Sequence, residues 1–123
     1  MSQTILIEPE SELKNIFMLN LNTYTGTDVV ERTNSVDTLE LLRILPTISL
    51  IICKSHVGEE RTAETIYAFL QNHNLDIPMI VLGECPAISG EVLSLKEPTS
   101  WELLVKYAGR LLGITPEETQ KQV

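Results

Sequence analysis

The chain has 123 residues of which 43% are apolar, enough to bury one core but not two. Its 17 acidic against 9 basic residues give a formal charge of -8 without any clustered Lys/Arg stripe, which argues against contact with a nucleic-acid backbone. Apolar runs such as residues 48–53 fall far short of the roughly 20 residues that cross a bilayer, and the N-terminus lacks a basic-then-apolar signal pattern, so a cytoplasmic location is expected.

The first apolar run, residues 4–7, ends at Glu8-Pro9 and reads as a short buried strand, because proline cannot donate to a sheet ladder. From Ser11 to about Asn22, Leu13, Ile16, Phe17 and Leu21 recur at helical spacing. Thr25-Gly26-Thr27 breaks the chain, and residues 28–32, with the β-branched pair Val29-Val30, form a second strand. Ser35 is placed to cap a second helix carrying Val36, Leu39 and Leu42, with Pro46 as its stop.

Residues 48–53 are almost continuously apolar, as expected of a central parallel strand covered on both faces. After a polar stretch over 54–60, Ala63, Ile66, Tyr67 and Leu70 form a helical stripe that fades at residues 72–74. Pro78 introduces a fourth strand, residues 79–82, closed by Gly83. Residues 84–91 hold Pro86 and Gly90 and leave no room for a full helix, so the crossover to a fifth strand at 92–95 is shortened. Thr99-Ser100-Trp101-Glu102 has the form of a capping box with Thr99 as cap. The helix it opens carries Trp101, Leu104, Val105, Ala108, Leu111 and Leu112, and Gly113 ends it. Thr115-Pro116-Glu117-Glu118 restarts a capping pattern, so residues 1–113 read as one domain and 114–123 as the start of a linker or connector helix.

This order of elements implies an α/β fold, a doubly wound five-stranded parallel sheet of order 2-1-3-4-5 with the fourth helix shortened or missing. Chemistry in such folds gathers at the carboxyl ends of the strands, here Glu8-Pro9-Glu10, Lys54-Ser55-His56, Gly83-Glu84 and Lys96-Glu97-Pro98. Over residues 4–113 the chain resembles a response-regulator receiver domain. The likeness lies in residues 5–10, in the run from Val29-Val30-Glu31 to Leu39-Glu40-Leu41-Leu42, in Leu50-Ile51-Ile52 and in the Lys96-Glu97-Pro98 corner.

A receiver of that family holds magnesium with acidic side chains at the end of strand one and accepts phosphate on an aspartate at the end of strand three. The resemblance therefore implies a degenerate pocket of Glu8, Glu10, Lys54, Gly83 and Lys96. Lysine stands at the acceptor position, glycine where the family has a hydroxyl, and either Lys96 or Glu97 stands for the family's lysine. An ammonium cannot form an acyl phosphate and repels the divalent ion, so a non-phosphorylatable domain without cofactor or metal is expected. Lys54 then serves either as an internal substitute for metal and phosphate, paired with Glu8 or Glu10, or as a lysine pointing into solvent.

Cys53, His56 and Cys85 invite a thiol or metal reading, against which stand the absence of CxxC spacing and the alternative of Cys53 as a small buried hydrophobe. Leu103 and Tyr107, with Leu111 at the edge, form a candidate contact patch on the last helix, while the acidic pair Glu59-Glu60 reads as ordinary solvation. The expected role is a protein-interaction or dimerisation module, with a protein partner or a second copy and a C-terminal effector domain. The rival readings are a small-molecule sensor using the space left by the shortened crossover, and a small enzyme using Cys53, His56 or Lys54.

Overall fold

The computed structural model describes residues 2–44, 47–84 and 92–114. Five parallel strands, β1 (Gln3–Ile7), β2 (Asp28–Glu31), β3 (Ile48–Lys54), β4 (Met79–Leu82) and β5 (Leu93–Leu95), form one sheet of order β2-β1-β3-β4-β5. The helices among the described residues are α1 (Ser11–Thr25), α2 (Ser35–Ile44), α3 (Thr62–Asn72) and α4 (Trp101–Leu111). The expected doubly wound architecture is the observed one. The expectation of a shortened fourth helix falls on residues 85–91, which lie outside the described residues, as do Cys85 and the connector beyond Ile114.

The central strands are apolar throughout because both of their faces are covered. Alternate side chains divide the core into two layers: Ile5, Ile7, Ile51, Cys53 and Val81 pack with α2 and α3, whereas Leu6, Leu50, Ile52, Ile80 and Leu82 pack with α1 and α4. Each such side chain contributes about 1.5–3 kcal/mol on burial, which makes β1, β3 and β4 the rigid frame of the molecule. No helix among the described residues is long and apolar enough to cross a membrane.

Local chemistry moves several boundaries from their expected places. Helix α1 runs past Asn22 to Thr25, whose hydroxyl donates to Leu21 O, and it stops at Gly26, whose φ of 72° suits a residue without Cβ. Ser35 does not cap α2. Asn34 does, its Oδ1 accepting from Asp37 N at 2.9 Å, while Ser35 N donates to the Glu60 carboxylate at 2.9 Å. The buried residues of α2 are Ser35, Thr38, Leu41 and Leu42, and Val36, expected on the core stripe, is 60% exposed. In α4 the cap is Ser100, which accepts from Leu103 N at 3.2 Å, while the hydroxyl of Thr99 donates to Lys96 O. The capping box is thus displaced by one residue. Trp101 is only half-buried and stacks on Tyr24 of α1, ring centroids 5.6 Å apart.

Candidate functional site

The alternation along β1 and β3 also places the chain's charged strand ends. Ile7 and Cys53 are register partners facing α2 and α3, so the next residues, Glu8 and Lys54, turn to the layer of α1 and α4. There they line a rim pocket of about 360 Å³ with Leu13 and Phe17 of α1 and Glu97-Pro98 of the β5–α4 corner. Lys54 Nζ stands 3.0 Å from Glu97 Oε2 and 3.7 Å from Glu8 Oε1. The ammonium is therefore hydrogen-bonded to one carboxylate and only close to the other.

The two carboxylates differ in surroundings. Glu8 is 2% exposed, its Oε1 accepts from Glu10 N at 3.1 Å, and its Oε2 has no hydrogen-bond partner among the described residues. Burial pushes the Glu8 carboxyl above its ordinary range, against the opposing effects of the Glu10 N–H and the Lys54 charge. Glu97 has a side chain 37% exposed and meets the ammonium from the solvent side. The hydrogen bond to Glu97 raises the Lys54 ammonium above its usual value, with burial opposing and Glu8 assisting.

Gly83, at the end of β4, has φ 109°, and a Cβ there would stand 2.8 Å from Ser55 Oγ and 3.2 Å from Glu97 Oε1. Its lack of a side chain makes room for both neighbours. Glu10 is exposed and reaches the pocket's edge, and it also starts α1 through Lys14 N donating to its carbonyl. Of the two residues open for the corner position, Glu97 joins the pocket, whereas Lys96 is exposed and does not line it. The structure therefore brings Glu8, Glu10, Lys54 and Glu97 to the pocket, sets Gly83 against Glu97, and leaves Lys96 outside the lining.

The magnesium ion implied by the receiver resemblance does not fit these residues. The Lys54 ammonium already lies between the carboxylates, and among the described residues no three His, Cys, Asp or Glu side chains are grouped closely enough to hold a metal. Cys53 is fully buried on the opposite layer, and His56 is exposed with Nδ1 3.3 Å from Ser55 Oγ, so the two do not converge.

On α4, Leu103 and Leu111 are each 38% exposed. Tyr107 does not stand clear of the core as expected. It is half-buried against the α1–α4 layer, with the charged ends of Lys106 and Arg110 5.9 Å and 5.4 Å from its ring centre.

Two participants were not legible in the sequence. Ser55 occupies space freed by Gly83, and its only sequence signal is its position one residue beyond Lys54. Glu60 is not a solvated acid. Its Oε1 accepts from Ser35 N at 2.9 Å and Thr62 Oγ1 at 3.0 Å, tying the loop after β3 to the start of α2. Burial alone would raise its pKa, but the Ser35 and Thr62 hydrogen bonds hold it below the ordinary value.

No family model matches the chain, nor does any curated protein. Solved structures do. The signal receiver domain of a signal transduction histidine kinase from Syntrophus aciditrophicus is similar with TM-score 0.77 at 18% identity, over 92% of this chain and 91% of that one. The receiver domain of a Francisella response regulator gives 0.76 at 14%, over 92% and 98%. An uncharacterized protein from Neptuniibacter caesariensis gives 0.76 at 20%, over 91% and 87%. The fold of the chain is that of response-regulator receiver domains.

Proposed function

From a receiver fold whose third strand ends in lysine, we propose a signalling module that takes up no phosphate and acts through protein contact. The observation that carries this reading is the position of the Lys54 ammonium, 3.0 Å from Glu97 and 3.7 Å from Glu8. It supplies internally the positive charge that a metal ion would bring, and it offers no carboxylate to phosphorylate. Bonded to Glu97 and close to Glu8, the ammonium ties the ends of β1 and β3 to the β5–α4 corner. Output then passes by association, with a partner protein or a second copy of the chain, to an effector module following residue 113. Exposed Leu103 and Leu111 on α4 supply apolar area for such a contact. A cytoplasmic setting and the absence of catalytic activity belong to the same reading.

The test uses a small acyl phosphate donor with magnesium, followed by intact-mass measurement. No phosphorylated species is expected from the wild-type chain, and a stoichiometric adduct would overturn the proposal. Lys54→Asp is expected to create magnesium affinity in the rim pocket. A variant of unchanged stability that gains no metal binding would count against the pocket assignment.

A further inference from the structure

We infer that the rim pocket between β1, β3 and the β5–α4 corner binds a small organic ammonium ion with an apolar body. The inference deepens the reading of Lys54 as the pocket's own cation and rests on it. Its first support is Glu8, one of the residues lining the pocket, which is 2% exposed and whose covered Oε2 has no donor among the described residues. A buried carboxylate oxygen without a donor is costly, and Lys54 does not meet the need, since it stands 3.7 Å from the other oxygen and bonds Glu97 instead.

The second support is the pocket's charge and lining. Glu8, Glu10 and Glu97 outnumber the single ammonium, so a further cation is favoured. A bare metal ion suits the place poorly because the carboxylates are not grouped for coordination and Lys54 repels it. About 360 Å³ of space, walled by Leu13, Phe17, Leu82 and Pro98, exceeds what an ion needs and lies within the range of about 300–1,000 Å³ usual for small-molecule sites. An ammonium group thus satisfies Glu8 while an apolar body packs on Phe17 and Leu13. Entry requires movement of the outer carboxylate, Glu97, which is 37% exposed and can carry Lys54 with it. Binding would thereby loosen the corner that leads into α4.

The experiment titrates the full chain with benzylamine, charged at neutral pH, and follows backbone amide shifts at Glu10, Ser55 and Gly83 by NMR. Saturable shifts at these positions are expected. Benzyl alcohol, which keeps the ring and loses the charge, should bind about tenfold more weakly or worse. Glu8→Gln should weaken benzylamine by about tenfold or more, and Lys54→Met, which removes the resident competitor, should tighten it several-fold. The inference is overturned by equal binding of amine and alcohol, by wild-type affinity in Glu8→Gln, or by unchanged or weaker affinity in Lys54→Met. If Glu8→Gln does not fold, the alcohol comparison and Lys54→Met still decide. Amine binding by a chain that also takes up phosphate would leave this site standing and remove the phosphate-independent reading. Absence of amine binding without phosphate uptake would do the reverse.

Discussion

Gly83 and Glu97 fit one another: a methyl group on the first would lie 3.2 Å from Oε1 of the second and would also press on Ser55 Oγ at 2.8 Å. The ion pair that closes the rim thus depends on a side chain that is missing from the neighbouring strand.

Gly83→Ala is therefore expected to cost about 1–3 kcal/mol, combining the strain of a positive φ with the crowding of Ser55 and Glu97. Chemical denaturation measures the loss. In a Ser55→Ala background the same substitution should cost less, by roughly 0.5 kcal/mol or more, since one of the crowded atoms is gone. Strict additivity would show that Ser55 does not occupy the space.

Removing the two partners of the ion pair should have unequal effects. Lys54→Met leaves the buried Glu8 without its nearby positive charge and should cost about 1–3 kcal/mol. Glu97→Gln removes a partly exposed carboxylate and should cost below about 1 kcal/mol. A reversed order would mean that the outer contact, not the buried acid, governs the site.

The carboxyls of Glu8 and Glu60 should impose opposite pH dependence. Burial lifts Glu8 above 4.5 in the folded chain, so its contribution is fully present below 4.5 and is lost as pH rises through the folded value. Glu8→Gln should flatten that fall in a stability profile taken from 4.5 upward. Glu60 is held below 4.5 by the hydrogen bonds from Ser35 and Thr62, so its contribution is present above 4.5 and is lost as pH falls through the folded value. Glu60→Ala should remove that acid-side loss while lowering stability at neutral pH.

The displaced cap of α4 predicts that Ser100→Ala costs about 1 kcal/mol, because it removes the acceptor of Leu103 N. Thr99→Ala removes only an exposed hydroxyl bond to Lys96 O and should cost less. Thermal unfolding of the two variants reads the order directly.

Much of the frame could be read from the sequence because its signals are local. The unbroken apolar run at 48–53 and the prolines and glycines bounding the other strands fix the sheet, and the strand ends then bring Glu8 and Lys54 together. What escaped reading depends on rotation and on distant partners. Whether Lys96 or Glu97 turns inward is set by the corner that joins β5 to α4, and adjacent residues in an apolar-polar pattern carry no sign of it. Val36 and Thr38 exchanged roles because the apolar residues of α2, Val36, Leu39, Leu41, Leu42 and Ile44, are spread around the helix and define no single face. Glu60 looked solvated since its donor, Ser35, lies 25 residues earlier.

That last contact joins the segment leading into α3 to the start of α2, its neighbour in the same layer. The loop carrying Glu60 begins just beyond Lys54 on the rim, and its carboxylate holds the first turn of a helix in the opposite layer from α4. The short stretch 54–60 therefore carries one charge to the corner before α4 and another to the first turn of α2.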